Sequence, residues 1–222
     1  MQELIQQERF EIELLDRLNS LRLLPSLIFT GGTMLRLCYG LERFSVDLDF
    51  WVLRRQPYAR LFDRLRDYLG QFYTLTDAQN KFHTLLFEIR SPAYPRRLKI
   101  EIRKQPKRVG TELAIAYSRF ATTQVLVRVP RLPELMDAKI TAFLERHEIR
   151  DVYDIEFLLR RGVPLPDASA TLNRLLRGIE QLPARDYRVK LGSLLPQDLR
   201  QYYNRENFKT LRQAIVAKLQ AG

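Results

Sequence analysis

The sequence holds a single cysteine, Cys38, and only two histidines, His83 and His147, among 222 residues. One cysteine cannot form a disulfide within the chain, which is typical of proteins from a reducing compartment. One Cys and two His also fall short of the four ligands that a structural zinc site needs. Any metal ion must therefore be held by carboxylates, which favours Mg²⁺ or Mn²⁺.

The chain also lacks a long hydrophobic run. No stretch approaches the roughly 18 consecutive apolar residues that span a bilayer. Residues 1–8 include Glu3 and Glu8, where a signal peptide would carry basic residues and an apolar stretch. A hydrophobic share of 45% beside 28% charged residues is that of a globular protein with one large or two small domains. We expect a cytoplasmic protein with no membrane partner.

Acidic residues are in deficit: 26 of them stand against 37 lysines and arginines, which gives a net charge of +11. Such a charge attracts polyanions and speeds their association. Nucleic acid is the first interpretation, and a nucleotide or an acidic partner protein is the second. Any single arginine is better explained as a solvated helix position, so only the whole excess favours a polyanionic partner.

Local patterns change near residue 130. Up to that point they predict helices over 4–24, 33–41 and 58–70 and strands over 27–30, 47–53, 84–89, 98–103 and 124–129. Beyond it, helical periodicity covers 133–147, 150–161, 167–180, 185–194 and 205–219, with prolines and a glycine between the segments. We therefore expect an α/β core over residues 1–130, followed by a helical domain over residues 131–222.

A glycine pair separates the second predicted helix from the strand before it, in the sequence Thr30-Gly31-Gly32-Thr33. Glycines let backbone N–H groups approach a phosphate closely at the start of a helix. The hydroxyl of Thr33 can cap the helix and also donate to that phosphate. Taken alone, the motif also fits any tight strand-to-helix turn.

Two aspartates lie in the next predicted strand, in Ser45-Val46-Asp47-Leu48-Asp49-Phe50. Residues two apart in a strand point to the same face, with Cα atoms about 6–7 Å apart. Two adjacent carboxylates are costly unless a cation neutralises them, and divalent metal ions do so in phosphoryl chemistry. The alternative is a surface strand with a polar outer face, but the preceding glycines favour a catalytic site.

A third carboxylate is available in Leu98-Lys99-Ile100-Glu101-Ile102-Arg103, where the apolar and polar residues alternate. If this strand lies beside Asp49, Glu101 can complete the metal site. A cross-strand salt bridge, for example with Arg90, explains the same spacing nearly as well.

Together these motifs resemble the polymerase-β-like nucleotidyltransferase superfamily. That resemblance implies a core with a mixed sheet over residues 1–130 and a helical domain over residues 131–222 that completes the active site. More narrowly, residues 31–36 and 43–50 are similar to the AbiEii/AbiGii toxin family, which includes the mycobacterial MenT toxins. Residues 138–142 (Ala-Lys-Ile-Thr-Ala) and 150–154 (Arg-Asp-Val-Tyr-Asp) resemble the later motifs of that family. The matches run in the right order from about residue 28 to 160, whereas the chain beyond residue 162 carries no recognisable motif.

The resemblance implies roles for several residues. It implies that Asp47 and Asp49 are metal ligands. It also implies that Lys139 and Asp154 are further active-site residues, with Asp154 orienting Lys139 or accepting a proton. We expect nucleotide contacts from Gly31, Gly32, Thr33, Arg36 and Lys139. Without the family pattern, Asp151 and Asp154 equally fit a helix-capping pair.

Two arginines, Arg146 and Arg150, lie on one side of a helix with Lys139 if that helix continues, and they are candidate RNA contacts. The expected reaction is Mg²⁺-dependent transfer of a nucleoside monophosphate from an NTP to an acceptor. By resemblance the acceptor is RNA, a tRNA 3′ end, and the protein acts as a toxin with a cognate antitoxin. The alternatives are kinase-like phosphoryl transfer to a protein and a non-catalytic binding module on the same fold.

Overall fold

The structure is a computed structural model and describes residues 1–221. It divides into two compact units. The first contains residues 1–40 and 44–130, and the second contains Leu41–Arg43 and the chain from Arg131 onward. No helix among residues 1–221 is long and apolar enough to cross a membrane.

The first unit combines three helices with seven strands. The helices are α1 (Gln2–Ser20), α2 (Gly31–Tyr39) and α3 (Tyr58–Leu69). The strands are β1 (Leu27–Thr30), β2 (Asp47–Val52), β3 (Thr74–Asn80), β4 (Thr84–Arg90), β5 (Leu98–Arg103), β6 (Thr111–Ala116) and β7 (Val125–Pro130). Five of them form one sheet in the order β1-β2-β5-β4-β3, and β6 and β7 pair as a separate hairpin. Only β2 and β5 run parallel, so the sheet is mixed and the predicted α/β class is confirmed.

Alternation along the central strands separates a buried face from a polar one. Leu48 and Phe50 of β2 and Ile100 and Ile102 of β5 are at most 1% exposed. Their burial contributes roughly 25 cal/mol for each square ångström of apolar surface removed from water. The residues between them are half-buried and lie on the opposite face. The hydrophobic core therefore fixes which way the polar residues of β2 and β5 point.

The second unit is helical. It contains α4 (Leu132–Arg146), α5 (Ile149–Arg160), α6 (Ser169–Glu180), α7 (Gln197–Glu206) and α8 (Lys209–Ala221). A π-helical segment over Asp186–Leu191 and a short 3₁₀ turn over Gly192–Leu194 lie between α6 and α7. α5 is its most buried helix, with Val152, Tyr153 and Ile155 fully covered.

Several predicted boundaries are wrong, each for a local reason. The first helix ends at Ser20 because Arg22 adopts a left-handed backbone with φ of 56°. The predicted helix over 205–219 is broken at Asn207 and Phe208, which both have positive φ, and α7 before it was not predicted. Strands β3 and β6 were also missed. Their sequences are rich in residues with low strand propensity, and each is held by pairing with a single neighbouring strand.

Candidate active site

The turn between β1 and α2 packs directly against the strand that carries the aspartates. Thr30, the last residue of β1, is the antiparallel partner of Asp49. Gly31 follows with φ of +83°, and a Cβ built on it would lie 2.5 Å from Oδ2 of Asp49. The left-handed backbone disfavours a residue with a Cβ, and the close carboxylate leaves no room for one. The glycine turn and the aspartate strand therefore form one site, as their order in the sequence predicts.

The side chain of Thr33 does not cap helix α2 as predicted. Its side chain is fully buried, and its hydroxyl donates to the backbone carbonyl of Asp47 at 2.6 Å. No side-chain hydrogen bond caps the start of α2, so the capping prediction is wrong. Gly32 is buried as well, whereas Gly31 is half-exposed. Contacts of Gly31, Gly32 and Thr33 with a nucleotide remain predictions.

Carboxylates from β2 and β5 lie side by side. In the parallel register Asp47 pairs with Lys99 and Asp49 pairs with Glu101. Partners in adjacent strands project to the same face, so the four side chains share the polar face of the sheet. The structure thus brings Glu101 beside Asp49, which is the condition under which the sequence predicts that it joins the two aspartates. Its role as a metal ligand remains a prediction.

A lysine ammonium stands among these acids. Nζ of Lys99 lies 3.0 Å from Oε1 of Glu101 and 3.7 Å from Oδ2 of Asp47. Burial lowers the pKa of Lys99, but the hydrogen bond to Glu101 and the charges of Asp47, Glu101 and Asp49 outweigh it, and the pKa is raised. Glu101 therefore forms a salt bridge, but its partner Lys99 lies on the same strand, so this is not the cross-strand bridge that the sequence left as the alternative.

These residues suit a hard cation. Carboxylate oxygens are the donors that Mg²⁺ and Mn²⁺ take, and the ammonium of Lys99 marks a place where positive charge is stabilised. Among residues 1–221, however, no three His, Cys, Asp or Glu side chains are gathered into a complete metal site. Asp47 and Asp49 fit an incoming divalent ion that completes its shell with substrate and water oxygens. Glu101 would have to release Lys99 to join them.

Helix α1 supports this site with buried polar side chains. Nε2 of Gln7 donates to the carbonyls of Val46 and Arg97, the residues just before β2 and β5, at 3.3 and 3.2 Å. Glu8 is buried and accepts hydrogen bonds from Arg36 and from the hydroxyl of Ser118. Together these bonds fix the start of both acid-bearing strands and the middle of α2.

The side chain of Arg36 takes part in this network of buried polar contacts. Besides its ion pair with Glu8, its guanidinium carbon stacks over the ring of Phe44 at 3.7 Å from the centroid. Its side chain is 13% exposed. Nucleotide binding by Arg36, expected from the sequence, remains a prediction and would have to coexist with these contacts.

Glu11, one turn beyond Gln7, is a buried acid whose two carboxylate oxygens lack any hydrogen-bond partner among residues 1–221. Burial, chiefly, and the nearby charges of Glu8 and Asp47 raise its pKa well above the ordinary value, against the opposing effect of Arg36. Helical spacing alone would have placed Glu11 on the apolar face of α1, but nothing in the sequence signals an uncompensated acid there.

A second cluster of charges lies within the helical unit. Nζ of Lys139 is 2.6 Å from Oδ2 of Asp154 and 3.5 Å from Oδ1 of Asp151. Arg43 binds Asp154 through two hydrogen bonds of 2.7 and 2.8 Å, and Arg146 binds Asp151 through two of 2.7 Å. Two acids thus share three cations, and the predicted pairing of Lys139 with Asp154 is present.

The acid at the centre of this cluster is ionised. Burial alone would raise the pKa of Asp154, but the charges and hydrogen bonds of Arg43 and Lys139 hold it below the ordinary value. A carboxylate with a lowered pKa is a weak proton acceptor, so the geometry favours orientation of Lys139 over proton transfer. The capping alternative is wrong, because Glu148 precedes α5 and Asp151 lies inside the helix with a buried side chain.

The expected continuous helix through Lys139, Arg146 and Arg150 is not formed. His147 ends α4 in the left-handed conformation, with φ of 54°, and α5 begins at Ile149. Arg146 is the last residue of α4, whereas Arg150 belongs to α5. The role of either arginine in RNA binding remains a prediction.

Sequence reasoning missed two partners in these clusters. Lys99 was visible as a polar neighbour of Glu101, and the two-residue spacing was the signal that placed its charge on the same face. Arg43 gave no such signal, because its partner Asp154 is 111 residues away in the chain.

Comparisons with known proteins identify the family of the chain and structures of similar fold. A family profile described as "Nucleotidyl transferase AbiEii toxin, Type IV TA system" matches residues 13–221. No curated protein matches the chain. Three solved structures are similar in fold. JHP933 from Helicobacter pylori is 24% identical, covers 96% of this chain and 94% of its own, and gives a TM-score of 0.62.

The other two structures are more distant in sequence. An H. pylori protein described as a candidate nucleotidyltransferase is 20% identical over 96% of both chains, with a TM-score of 0.63. MenT4, a nucleotidyltransferase toxin from Mycobacterium tuberculosis, is 15% identical over 96% of this chain and 94% of its own, with a TM-score of 0.51. At these identities the three likenesses concern the fold.

Proposed function

Because the chain belongs to the AbiEii nucleotidyl transferase toxin family, we propose that it transfers a nucleoside monophosphate from an NTP to the 3′ end of an RNA, specifically a tRNA. In this reaction the acceptor hydroxyl oxygen bonds to the α-phosphorus, and the bond from that phosphorus to the α–β bridging oxygen breaks. Pyrophosphate leaves, and the hydroxyl proton passes to solvent. A tRNA extended in this way no longer accepts an amino acid, which accounts for toxicity.

The observation that carries the proposal is the contact between Gly31 and Asp49, which joins a phosphate-binding turn to a pair of carboxylates. Asp47 and Asp49 would hold Mg²⁺ or Mn²⁺, with Glu101 assisting. A divalent cation bound there supplies Lewis-acid stabilisation of the charge on the phosphoryl oxygens. The buried residues of β2 hold both carboxylates on one face and so orient them before substrate binds.

The start of α2 would receive the triphosphate. The helix begins at Gly31, and the first N–H groups of a helix lack partners within it and attract anions. Gly31 is half-exposed and leaves room for an approaching phosphate oxygen, while Gly32, Thr33 and Arg36 complete the proposed nucleotide-binding set. Thr33 also ties this turn to Asp47 through its hydrogen bond, so the two parts move together.

Lys139, which belongs to the helical unit, is the proposed cation that binds the triphosphate. Its ammonium is nearly buried and is held by Asp154, which Arg43 in turn fixes through two bonds. A lysine held in one position neutralises phosphate charge without first losing side-chain freedom. Asp154 is therefore a positioning residue, and completion of the active site by the helical unit is part of this proposal.

The RNA acceptor is supported by charge. The net charge of +11 favours a polyanion, and Arg146 and Arg150 are the candidate contacts. A cognate antitoxin is the protein partner that the family implies.

The test uses purified protein, Mg²⁺, total RNA and an NTP labelled on either the α- or the γ-phosphate. Labelled RNA from the α-labelled NTP alone is expected, and Asp49→Asn should reduce it by about a thousandfold or more because a metal ligand is lost. Asp77→Asn is the matched control and should retain activity, because Asp77 lies on edge strand β3, where it accepts hydrogen bonds from Gln79.

Other outcomes identify the rival functions. Transfer of label from the γ-phosphate to protein would show that the reaction is kinase-like phosphoryl transfer and not nucleotidyl transfer. If no label is transferred and neither Mg²⁺ nor any NTP raises the unfolding temperature, the chain is a binding module on an inactive transferase fold.

A further inference from the structure

The ammonium of Lys99 lies where the proposed function requires a metal ion. It is 3.0 Å from Oε1 of Glu101 and 3.7 Å from Oδ2 of Asp47, and its strand register places it directly beside Asp47. One ammonium thus contacts an acid of β2 and an acid of β5 at the same time. Lys99 therefore offsets part of the repulsion between the acids of the two strands.

The surroundings allow this ammonium to leave. The side chain of Lys99 is 37% exposed, and those of Asp47 and Glu101 are 33% and 29% exposed. Lysine carries a compact charge on a flexible stem, so a rotation of its side-chain bonds moves the charge without moving the strand. The backbone of β5 stays fixed by its pairing with β2 and β4 on both sides.

We propose that Lys99 is a built-in counter-ion of the metal site: its ammonium neutralises Asp47 and Glu101 in the metal-free protein and is displaced when a divalent cation binds. The inference rests on the proposed function, since it takes Asp47, Asp49 and Glu101 as the metal-binding acids. It goes beyond that function because it assigns Lys99 control over metal affinity.

Displacement has an energetic consequence. Two like charges a few ångströms apart repel by several kcal/mol at the effective dielectric of a protein surface, so a bound divalent ion and the ammonium do not share the acids. Part of the metal's binding free energy is spent on breaking the lysine contacts. Removal of the charge at residue 99 should therefore tighten metal binding, whereas a change of shape that keeps the charge should not.

The experiment measures binding of Mn²⁺ alone, without nucleotide, through the electron paramagnetic resonance signal of the free ion. Lys99→Met is expected to bind Mn²⁺ about tenfold more tightly than the wild type. Lys99→Gln, which is also neutral but keeps hydrogen-bonding groups, should show the same gain and guards against a packing effect of methionine. Lys99→Arg, which keeps the charge, should bind within about threefold of the wild type.

Arg103→Met is the matched control, because Arg103 is two residues beyond Glu101 on the same strand and forms no salt bridge with the acids among residues 1–221. Its Mn²⁺ affinity should stay within about twofold of the wild type, since an exposed charge that makes no ion pair with the acids interacts with them only weakly through water. A gain for Arg103→Met as large as that for Lys99→Met would mean that net charge alone matters, and it would overturn the proposal.

Thermal unfolding gives a second readout. Without metal, Lys99→Met should unfold at a lower temperature than the wild type, and saturating Mn²⁺ should raise its unfolding temperature by more than it raises that of the wild type. Circular dichroism confirms that each variant is folded.

The outcomes separate the two proposals. If the wild type binds Mn²⁺ and loses it with Asp49→Asn, but Lys99→Met and Lys99→Gln bind no more tightly, the metal site stands and the role of Lys99 is overturned. If none of these proteins binds Mn²⁺, the proposed function fails and this inference fails with it. Tighter binding in both neutral variants, absent in Lys99→Arg and Arg103→Met, supports the counter-ion role.

Discussion

Gly31 touches Asp49 so closely that a single added carbon, the Cβ of an alanine, would lie 2.5 Å from the carboxylate oxygen Oδ2. The two residues come from different elements, the start of α2 and the middle of β2, and the antiparallel pairing of Thr30 with Asp49 holds them together. The contact makes the position of Asp49, one of the proposed metal ligands, depend on the absence of a side chain at residue 31.

Gly31→Ala should abolish transfer activity while leaving a folded protein. The left-handed backbone costs about 1–2 kcal/mol for a residue with a Cβ, and the clash also pushes Asp49 out of place. Gly162→Ala is the matched control, because Gly162 has φ of +81° but no atom within 4 Å of an added Cβ. It should lose a similar amount of stability in urea denaturation and keep its activity. Equal activities for the two variants would show that the contact with Asp49 is unimportant.

Arg43→Met should destabilise the protein by about 3–5 kcal/mol, because it leaves the buried carboxylate of Asp154 with Lys139 alone. The comparison is Arg146→Met, which also removes two hydrogen bonds to an aspartate. The side chain of Arg146 is 54% exposed, against 4% for Arg43. Water can replace it, and the expected loss is about 1 kcal/mol. Urea denaturation at pH 7 measures both, and equal losses would contradict the ranking by burial.

Two glutamates of α1 should respond to pH with opposite signs. Burial, first, and the charge of Glu8 raise the pKa of Glu11 above its ordinary value of 4.5. The uncharged acid therefore contributes its stability below pH 4.5 and loses it as the pH rises through the raised pKa. Glu11→Gln mimics the uncharged form, and it should exceed the wild type in free energy of unfolding by about 1 kcal/mol or more at pH 8. The gain should vanish at pH 4.

Glu13 provides the contrast on the same helix. Burial opposes the shift, but hydrogen bonds from Tyr94, Tyr73 and Arg17 lower its pKa. Its contribution is present above the ordinary value of 4.5 and is lost as the pH falls through the lowered pKa. Glu13→Gln should therefore destabilise the protein at pH 8 and have less effect in acid. Denaturation curves between pH 3 and 8 decide the matter, and parallel profiles for the two variants would contradict it.

Arg150→Met should weaken RNA binding without loss of stability. The loss of one phosphate contact reduces the slope of log affinity against log salt concentration by about one. Arg174→Met, which removes an exposed arginine from α6, is the matched control and should leave the slope unchanged. Filter binding of tRNA between 50 and 200 mM salt is suitable for this measurement. Identical slopes for both variants would remove Arg150 from the proposed RNA surface.

The sequence was sufficient to predict the polar face of the sheet, which carries the proposed metal ligands, because the signals for it are local. Alternation placed Asp47, Asp49 and Glu101 among buried neighbours, and the glycine pair marked the turn between β1 and α2. Alternation and strand propensity failed to predict β3. Its polar residues Asp77, Gln79 and Asn80 disfavour a strand until pairing with β4 supplies the hydrogen bonds. Local propensity does not report such pairing.

Contacts between residues far apart in the chain could not be predicted from the sequence for the same reason. Arg43 and Asp154 meet only after the helices have packed, and Ser118 reaches Glu8 across 110 residues. The hydroxyl of Thr33 was expected to cap its own helix, but it donates to Asp47 because its side chain is buried against β2. Competition among several possible partners is decided by packing, which single-sequence patterns do not contain.

The parallel register of β2 and β5 has an evolutionary consequence. An insertion inside either strand would turn every following side chain to the other face and carry Asp49 or Glu101 into the core. The chain between the two strands, which includes the turn around Ser91–Arg97, can change length without moving either residue. Distant relatives should therefore keep the spacing within each strand and vary freely in between. A pattern that demands a fixed number of residues from Asp49 to Glu101 would overlook proteins built around the same pair of acids.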